Sequence, residues 1–112
     1  MNFRKIAEEA GLEEREVIEI VHLFIQASAS DLKRLEAALR QDSVEGILDA
    51  AHSLKGGAAS FGFKDIFESA RALEASARRN NLQGAGQGIR KIRDGLDAIT
   101  GALRTRLATG AG

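Results

Sequence analysis

The 112-residue chain has no cysteine, no proline, no tryptophan and no tyrosine. Without cysteine there is no disulfide and no thiol chemistry, which fits a reducing compartment. Without proline, no helix is interrupted by a missing amide donor or a ring clash. Five phenylalanines are the only aromatic residues, whereas a β-sandwich would want more aromatic and β-branched side chains. No apolar run approaches the ~20 residues needed to span a bilayer. The opening "MNFRKIAEEAGLEER" lacks the apolar core of a secretion signal. The expected setting is therefore cytoplasmic, with no membrane partner. Formal net charge is zero, and a nucleic-acid binder would usually carry a basic patch on a basic domain. The charge is unevenly spread. Residues 1–50 hold 11 acidic and 6 basic side chains, and residues 51–112 hold 5 acidic and 10 basic. The split suits helices that attract one another weakly, or a basic surface that meets an acidic partner.

What the chain has is helix formers: alanine, leucine, glutamate and arginine, with apolar residues at three-and-four spacing. Phe3, Ile6 or Ala7, and Ala10 predict a short leader helix that Gly11 ends. A long helix follows with the stripe Val17, Val21, Phe24, Ser28, Leu32, Leu35 and Leu39, ending near Gln41. Asp42, with Glu45 three positions on, fits a capping box for the next helix. That helix carries Ile47, Ala51, Leu54, Ala58 and Phe61 on one face, and Gly62 suits its end. Another carries Ile66, Ala70, Leu73 and Ala77. The segment "RRNNLQGAGQG" reads as a loop, and the last helix shows Ile89, Ile92, Leu96, Ile99 and Leu103. Short connections favour antiparallel neighbours. The expected fold is all-α: an antiparallel up-down four-helix bundle with a short N-terminal leader helix. It is one domain over residues 1–108, with a frayed tail at 109–112.

The stretch "AHSLKGGAASFGF", residues 51–63, is unusual for a helix, since each interior glycine costs roughly 1 kcal/mol relative to alanine. At about 100° per residue, with Ile47 as zero, His52 falls at roughly 140°, Gly56 at roughly 180° and Lys55 at roughly 80°. The histidine points away from the core. Its outward neighbours Ser53, Gly56, Ala59 and Ser60 are small. They leave a low surface, with Gly57 beside them, that another protein can approach closely. Lys55 lies three residues on, so the two side chains are neighbours. A cation there favours the neutral imidazole, which is a nucleophile. If the imidazole acquires a phosphoryl group, the lysine faces a dianion and stabilises it. His22 has no such company and reads as an ordinary surface or boundary histidine. The two histidines show no ligand spacing, so no metal site is expected.

"AHSLKGGAASFG" resembles the signature of histidine-containing phosphotransfer (HPt) domains: His-x-x-Lys-Gly, then Gly ten residues after the histidine. Here these are His52, Lys55, Gly56 and Gly62. The wider "HSLKGGAASFGF" resembles the P1 domain of chemotaxis-type histidine kinases. The resemblance runs from near Glu13 to about Arg79; beyond that the last helix matches only as a generic bundle helix. It implies a helical bundle whose exposed His52 carries a phosphoryl group on Nε2. The group passes between a sensor histidine kinase and response-regulator receiver domains, or between receiver aspartates. Lys55 would neutralise charge, Gly56 would admit the receiver, and Gly62 would turn the chain. In P1-like members a glutamate on the next helix bonds the histidine's Nδ1, and the matching residue is Glu74. On its own helix Glu74 lies roughly 75° from the centre of the apolar stripe, a boundary position. It could also pair with Arg71 or Arg78.

"GAGQG" at 84–88 lacks a preceding strand and a lysine, so it is a loop and not a nucleotide site. The chain is then a phosphoryl carrier without its own kinase or ATP site. It has no cofactor of its own, the receiver supplying Mg²⁺. Docking would use apolar groups on the leader helix (Phe3, Ile6) and the exposed start of the long helix, with Phe61 and Phe63 in the core or at its end. A closed bundle with polar outer faces favours a monomer. Two other readings fit the same residues: a helical interaction module that carries no phosphate, and the P1 fragment of a larger kinase.

Overall fold

The computed structural model describes residues 1–109. Five helices follow in order: α1 (Phe3–Ala10), α2 (Glu14–Arg40), α3 (Val44–Phe61), α4 (Lys64–Arg78) and α5 (Ala85–Ala108). No strand occurs among the described residues. Helices α2 to α5 form a closed ring, α2 on α3, α3 on α4, α4 on α5 and α5 on α2, while α1 packs on α2. The register is antiparallel throughout. Ala38 faces Gly46, Asp31 faces Ser53 and Phe24 faces Phe61 along the α2/α3 seam. Leu73 faces Gly88 and Ile66 faces Gly95 along α4/α5. This is the expected four-helix bundle with a leader helix.

The apolar stripes explain the ring. Leu35, Ile47, Leu54, Ile92 and Val21 are the largest fully buried side chains. Ile66, Ala70, Leu73 and Ala77 of α4 are buried, as are Ile89, Ile92, Leu96, Ile99 and Leu103 of α5. Each covers one face of its helix, as a period near 3.6 requires. Phe3 and Ala7 bury the inner face of α1, and Gly11 ends it with φ 70°. Burial of Phe3 removes it from the docking surface expected on the leader helix; Ile6 is half-buried.

Three local details differ from the sequence expectation. The cap of α3 is Ser43, whose Oγ accepts from the Gly46 amide at 3.1 Å. Asp42 sits one residue earlier with φ 50°, and a cap residue needs extended backbone. The loop after α4 is shorter than expected, because residues 85–88 already belong to α5. Gly88 there is a packing residue. A Cβ on Gly88 would meet Leu73 Cδ2 at 3.1 Å, and one on Gly86 would touch Leu39. Glu74 is buried and not at the boundary, at 4% exposure.

Close approach also decides Gly46. A Cβ there would stand 2.7 Å from the Ala38 Cβ, which no rotamer change can relieve. Gly46→Val is expected to lower unfolding free energy by about 1–3 kcal/mol through overpacking, measured by urea denaturation. The expected frayed tail falls mostly on residues 110–112, which lie outside the described residues.

Candidate functional site

The site lies midway along α3, where α2 and α4 flank it. His52 points outward with 70% of its side chain exposed. Its Nδ1 lies 2.8 Å from Oε2 of Glu74, one helix away on α4. The other carboxylate oxygen, Oε1, accepts from Lys55 Nζ at 2.6 Å. Arg78, one turn on from Glu74, donates to Oε2 at a longer 3.4 Å. One buried carboxylate therefore gathers the imidazole, an ammonium and a guanidinium. His52 and Lys55 reach it together because residues three apart share a helix face.

The proton on the imidazole follows from this geometry. The hydrogen bond from Lys55 holds the Glu74 carboxyl below its ordinary range. Burial opposes that, while the His52 bond and the charges of Lys55 and Arg78 reinforce it. An ionised carboxylate only accepts hydrogen bonds. Nδ1 must then carry the proton and donate. In the neutral ring the lone pair is left on Nε2, on the solvent side.

The same depression has a consequence for stability. A carboxyl lowered in the folded state binds fewer protons there than in the unfolded chain, so stability rises with pH through its titration. The contribution is present above the ordinary value of 4.5 and lost as pH falls through the folded value. Thermal midpoints are expected to fall as pH is lowered below about 4.5, and to fall less steeply in Glu74→Gln. A slope unchanged in that variant would contradict the assignment. Glu14, paired with Arg106 at 2.6 Å between α2 and α5, is lowered too and contributes in the same direction.

The surface beside His52 is low. A Cβ built on Gly56 meets nothing within 4 Å, so no contact within the chain requires glycine there. Ala59 and Ser60 are exposed, and Ser60 Oγ donates to the Gly56 carbonyl at 3.2 Å. Gly57 differs from its neighbour. Its missing side chain makes room for the Phe24 ring, 3.3 Å from a Cβ at that position. It has a packing reason to be glycine, and it is half-buried beside the exposed Gly56. Phe24 in turn lies tilted against Phe61 and Phe63, with ring centroids 5.3 and 5.1 Å away, and Phe61 stacks on Phe63 at 5.6 Å. This aromatic cluster fixes the end of α3, where Gly62 turns the chain with φ 71°. Of the exposed large apolar residues, Ile20 and Leu23 lie near the start of α2.

Lys55 departs from the expectation of a bare cation beside the imidazole, because its charge is matched by Glu74. Arg78 was expected only as an alternative partner of Glu74; it shares the carboxylate with His52 and Lys55. Asp31 and Ser53 were not singled out as a pair. Asp31 is buried and accepts from Ser53 Oγ at 2.7 Å and from Arg34 at 2.9 Å. Only its position beside the apolar stripe of α2 could have flagged it. His22 is exposed. No group of three or more metal-ligating side chains occurs among the described residues. No described helix is long and apolar enough to cross a membrane.

The fold has known counterparts. Histidine-containing phosphotransfer protein B (HptB) from Pseudomonas aeruginosa PAO1 superposes with a TM-score of 0.82 at 26% identity, over 95% of this chain and 92% of that one. The HPT domain of an Hpt sensor hybrid histidine kinase from Shewanella superposes with a TM-score of 0.76, over 100% of this chain and 97% of that one. At 16% identity the second likeness shows the fold alone. Among curated proteins none matches. The family model described as "Hpt domain" matches residues 19–102, a span holding the whole site, and the chain belongs to the Hpt domain family.

Proposed function

We propose that this chain is a phosphorelay carrier that accepts a phosphoryl group on His52 Nε2. It exchanges the group with aspartates of receiver domains or receives it from a sensor histidine kinase. The observation that carries the reading is the 2.8 Å bond between His52 Nδ1 and buried Glu74, which leaves Nε2 as the free nucleophile in an exposed ring.

The chemistry follows the geometry. The Nε2 lone pair attacks phosphorus, a P–N bond forms, and the P–O bond to the donor aspartate breaks with its carboxylate as leaving group. No proton need leave Nε2, because the Nδ1–H tautomer carries none there. Positive charge grows on the ring as the bond forms, and the Glu74 carboxylate offsets it. Phosphoryl transfer demands mostly positioning and charge stabilisation. Lys55 has three donors and spends one on Glu74, so two remain for a phosphoryl oxygen. Arg78 is a second cation, on the other oxygen of Glu74. Mg²⁺ and the acceptor or donor aspartate belong to the receiver. The chain itself is then a carrier and not a kinase.

Gly56, Ala59 and Ser60 form the approach surface, and Ile20 and Leu23 are apolar groups for the partner to cover. The protein acts as a monomer on this reading, with Gly62 closing the helix that presents His52.

The test is to mix the protein with a panel of receiver domains charged by acetyl phosphate and Mg²⁺. One acid-labile, alkali-stable phosphoryl group is expected on the intact mass. Failure across a broad panel, with the bundle folded, would favour an interaction module without chemistry.

A further inference from the structure

His52 is held from one side of α3 by Glu74. Its chain neighbour Ser53 is held from the other. Consecutive residues lie about 100° apart around a helix axis, so Ser53 faces α2 while His52 faces α4. Ser53 Oγ donates to Asp31 Oδ2 at 2.7 Å. The Asp31 side chain is 11% exposed, and Arg34 holds its other oxygen at 2.9 Å. Two buried carboxylates on two flanking helices thus grip two consecutive residues of α3.

Of the buried side chains between residues 50 and 59, only Leu54 is large. Residues 50, 51, 58 and 59 are alanines, and 56 and 57 are glycines. Apolar burial is non-directional, whereas charge-assisted hydrogen bonds are short and directional. A buried charge is costly unless paired, and fixing register is its best-attested use. On the reading of His52 as the phosphoryl carrier, we infer that Asp31, acting through Ser53, is a positioning residue that sets the angle at which α3 presents the imidazole to Glu74 and to the incoming phosphorus.

Wild type, Ser53→Ala, Ser53→Thr and Asp31→Asn are compared in transfer from a phosphorylated receiver. Ile99→Val, far along α5, is the control for lost stability alone. The rate at saturating receiver is expected to fall about three- to tenfold in Ser53→Ala and Asp31→Asn, since small misplacements of a reacting group are costly. The half-saturating receiver concentration stays unchanged. Ser53→Thr, which keeps the hydroxyl, restores the rate, and Ile99→Val leaves it as in wild type. The His52 Nδ1 proton, followed by NMR in each protein without any receiver, exchanges faster with water in Ser53→Ala. Wild-type transfer and exchange in Ser53→Ala would overturn the inference. Absence of transfer to wild type would overturn the carrier reading, while the Nδ1 exchange would still decide whether Asp31 positions the ring.

Discussion

His52→Gln is expected to abolish phosphoryl transfer to this protein while leaving the bundle folded. Glutamine can fill the place of the imidazole and offer an amide to Glu74, but its side chain has no nucleophilic nitrogen. The amide lone pair is delocalised into the carbonyl, so the P–N bond cannot form. The fold should tolerate the change because the side chain is 70% exposed and contributes nothing to the apolar core. Surface substitutions of this kind usually stay within about 0.5 kcal/mol. Release of Glu74 from its imidazole partner is cushioned by Lys55 and Arg78. Intact mass after incubation with a charged receiver should show no phosphoryl adduct, and the thermal midpoint should match wild type. A phosphorylated His52→Gln protein would mean that another side chain carries the group.

Glu74→Ala is expected to lower the transfer rate at saturating receiver by about 10–100-fold, the scale found when the carboxylate that orients a metal-bound histidine is removed. Two losses combine. The ring loses the acceptor that keeps the proton on Nδ1, so part of the population carries it on Nε2 and cannot attack. The developing ring charge also loses its counter-charge. Lys55 is then freed and can no longer be held beside the ring by the carboxylate. Glu74→Gln separates these effects, since its amide oxygen still accepts from Nδ1 without the charge, and a smaller loss is expected. Rates measured over a range of receiver concentrations decide the matter. An unchanged maximal rate in Glu74→Ala would remove Glu74 from the mechanism.

Much of this site was legible in the sequence, for a physical reason. Helical geometry is regular enough that the angles of His52, Lys55 and Gly56 follow from counting residues. The stripes of α4 and α5 are legible likewise, because each is a single face buried against a ring of neighbours. What the sequence hid depends on contacts between helices. Asp31 lies beside the stripe of α2 as a charge, and only Ser53 and Arg34 make its burial affordable. Glu74 looked half-exposed until the cover from Lys55 and His52 was placed. Gly57 and Gly56 are identical in sequence terms, yet a Cβ on Gly57 would press on Phe24 and one on Gly56 would meet nothing within 4 Å. "GAGQG" carries turn residues, but the helix begins at Ala85, and Leu73 packs tightly where a side chain on Gly88 would start. In "DSVE" both Asp42 and Ser43 can cap, and the backbone angles choose Ser43.

The most direct measurement concerns the nitrogen. The protein labelled with ¹⁵N at histidine would be phosphorylated by a charged receiver, and the phosphorus-to-nitrogen coupling read by NMR. The account predicts one phosphoryl group, on Nε2 of His52, with Nδ1 still protonated and bonded to Glu74. Phosphorus on Nδ1, on His22 or on a residue other than histidine would contradict it.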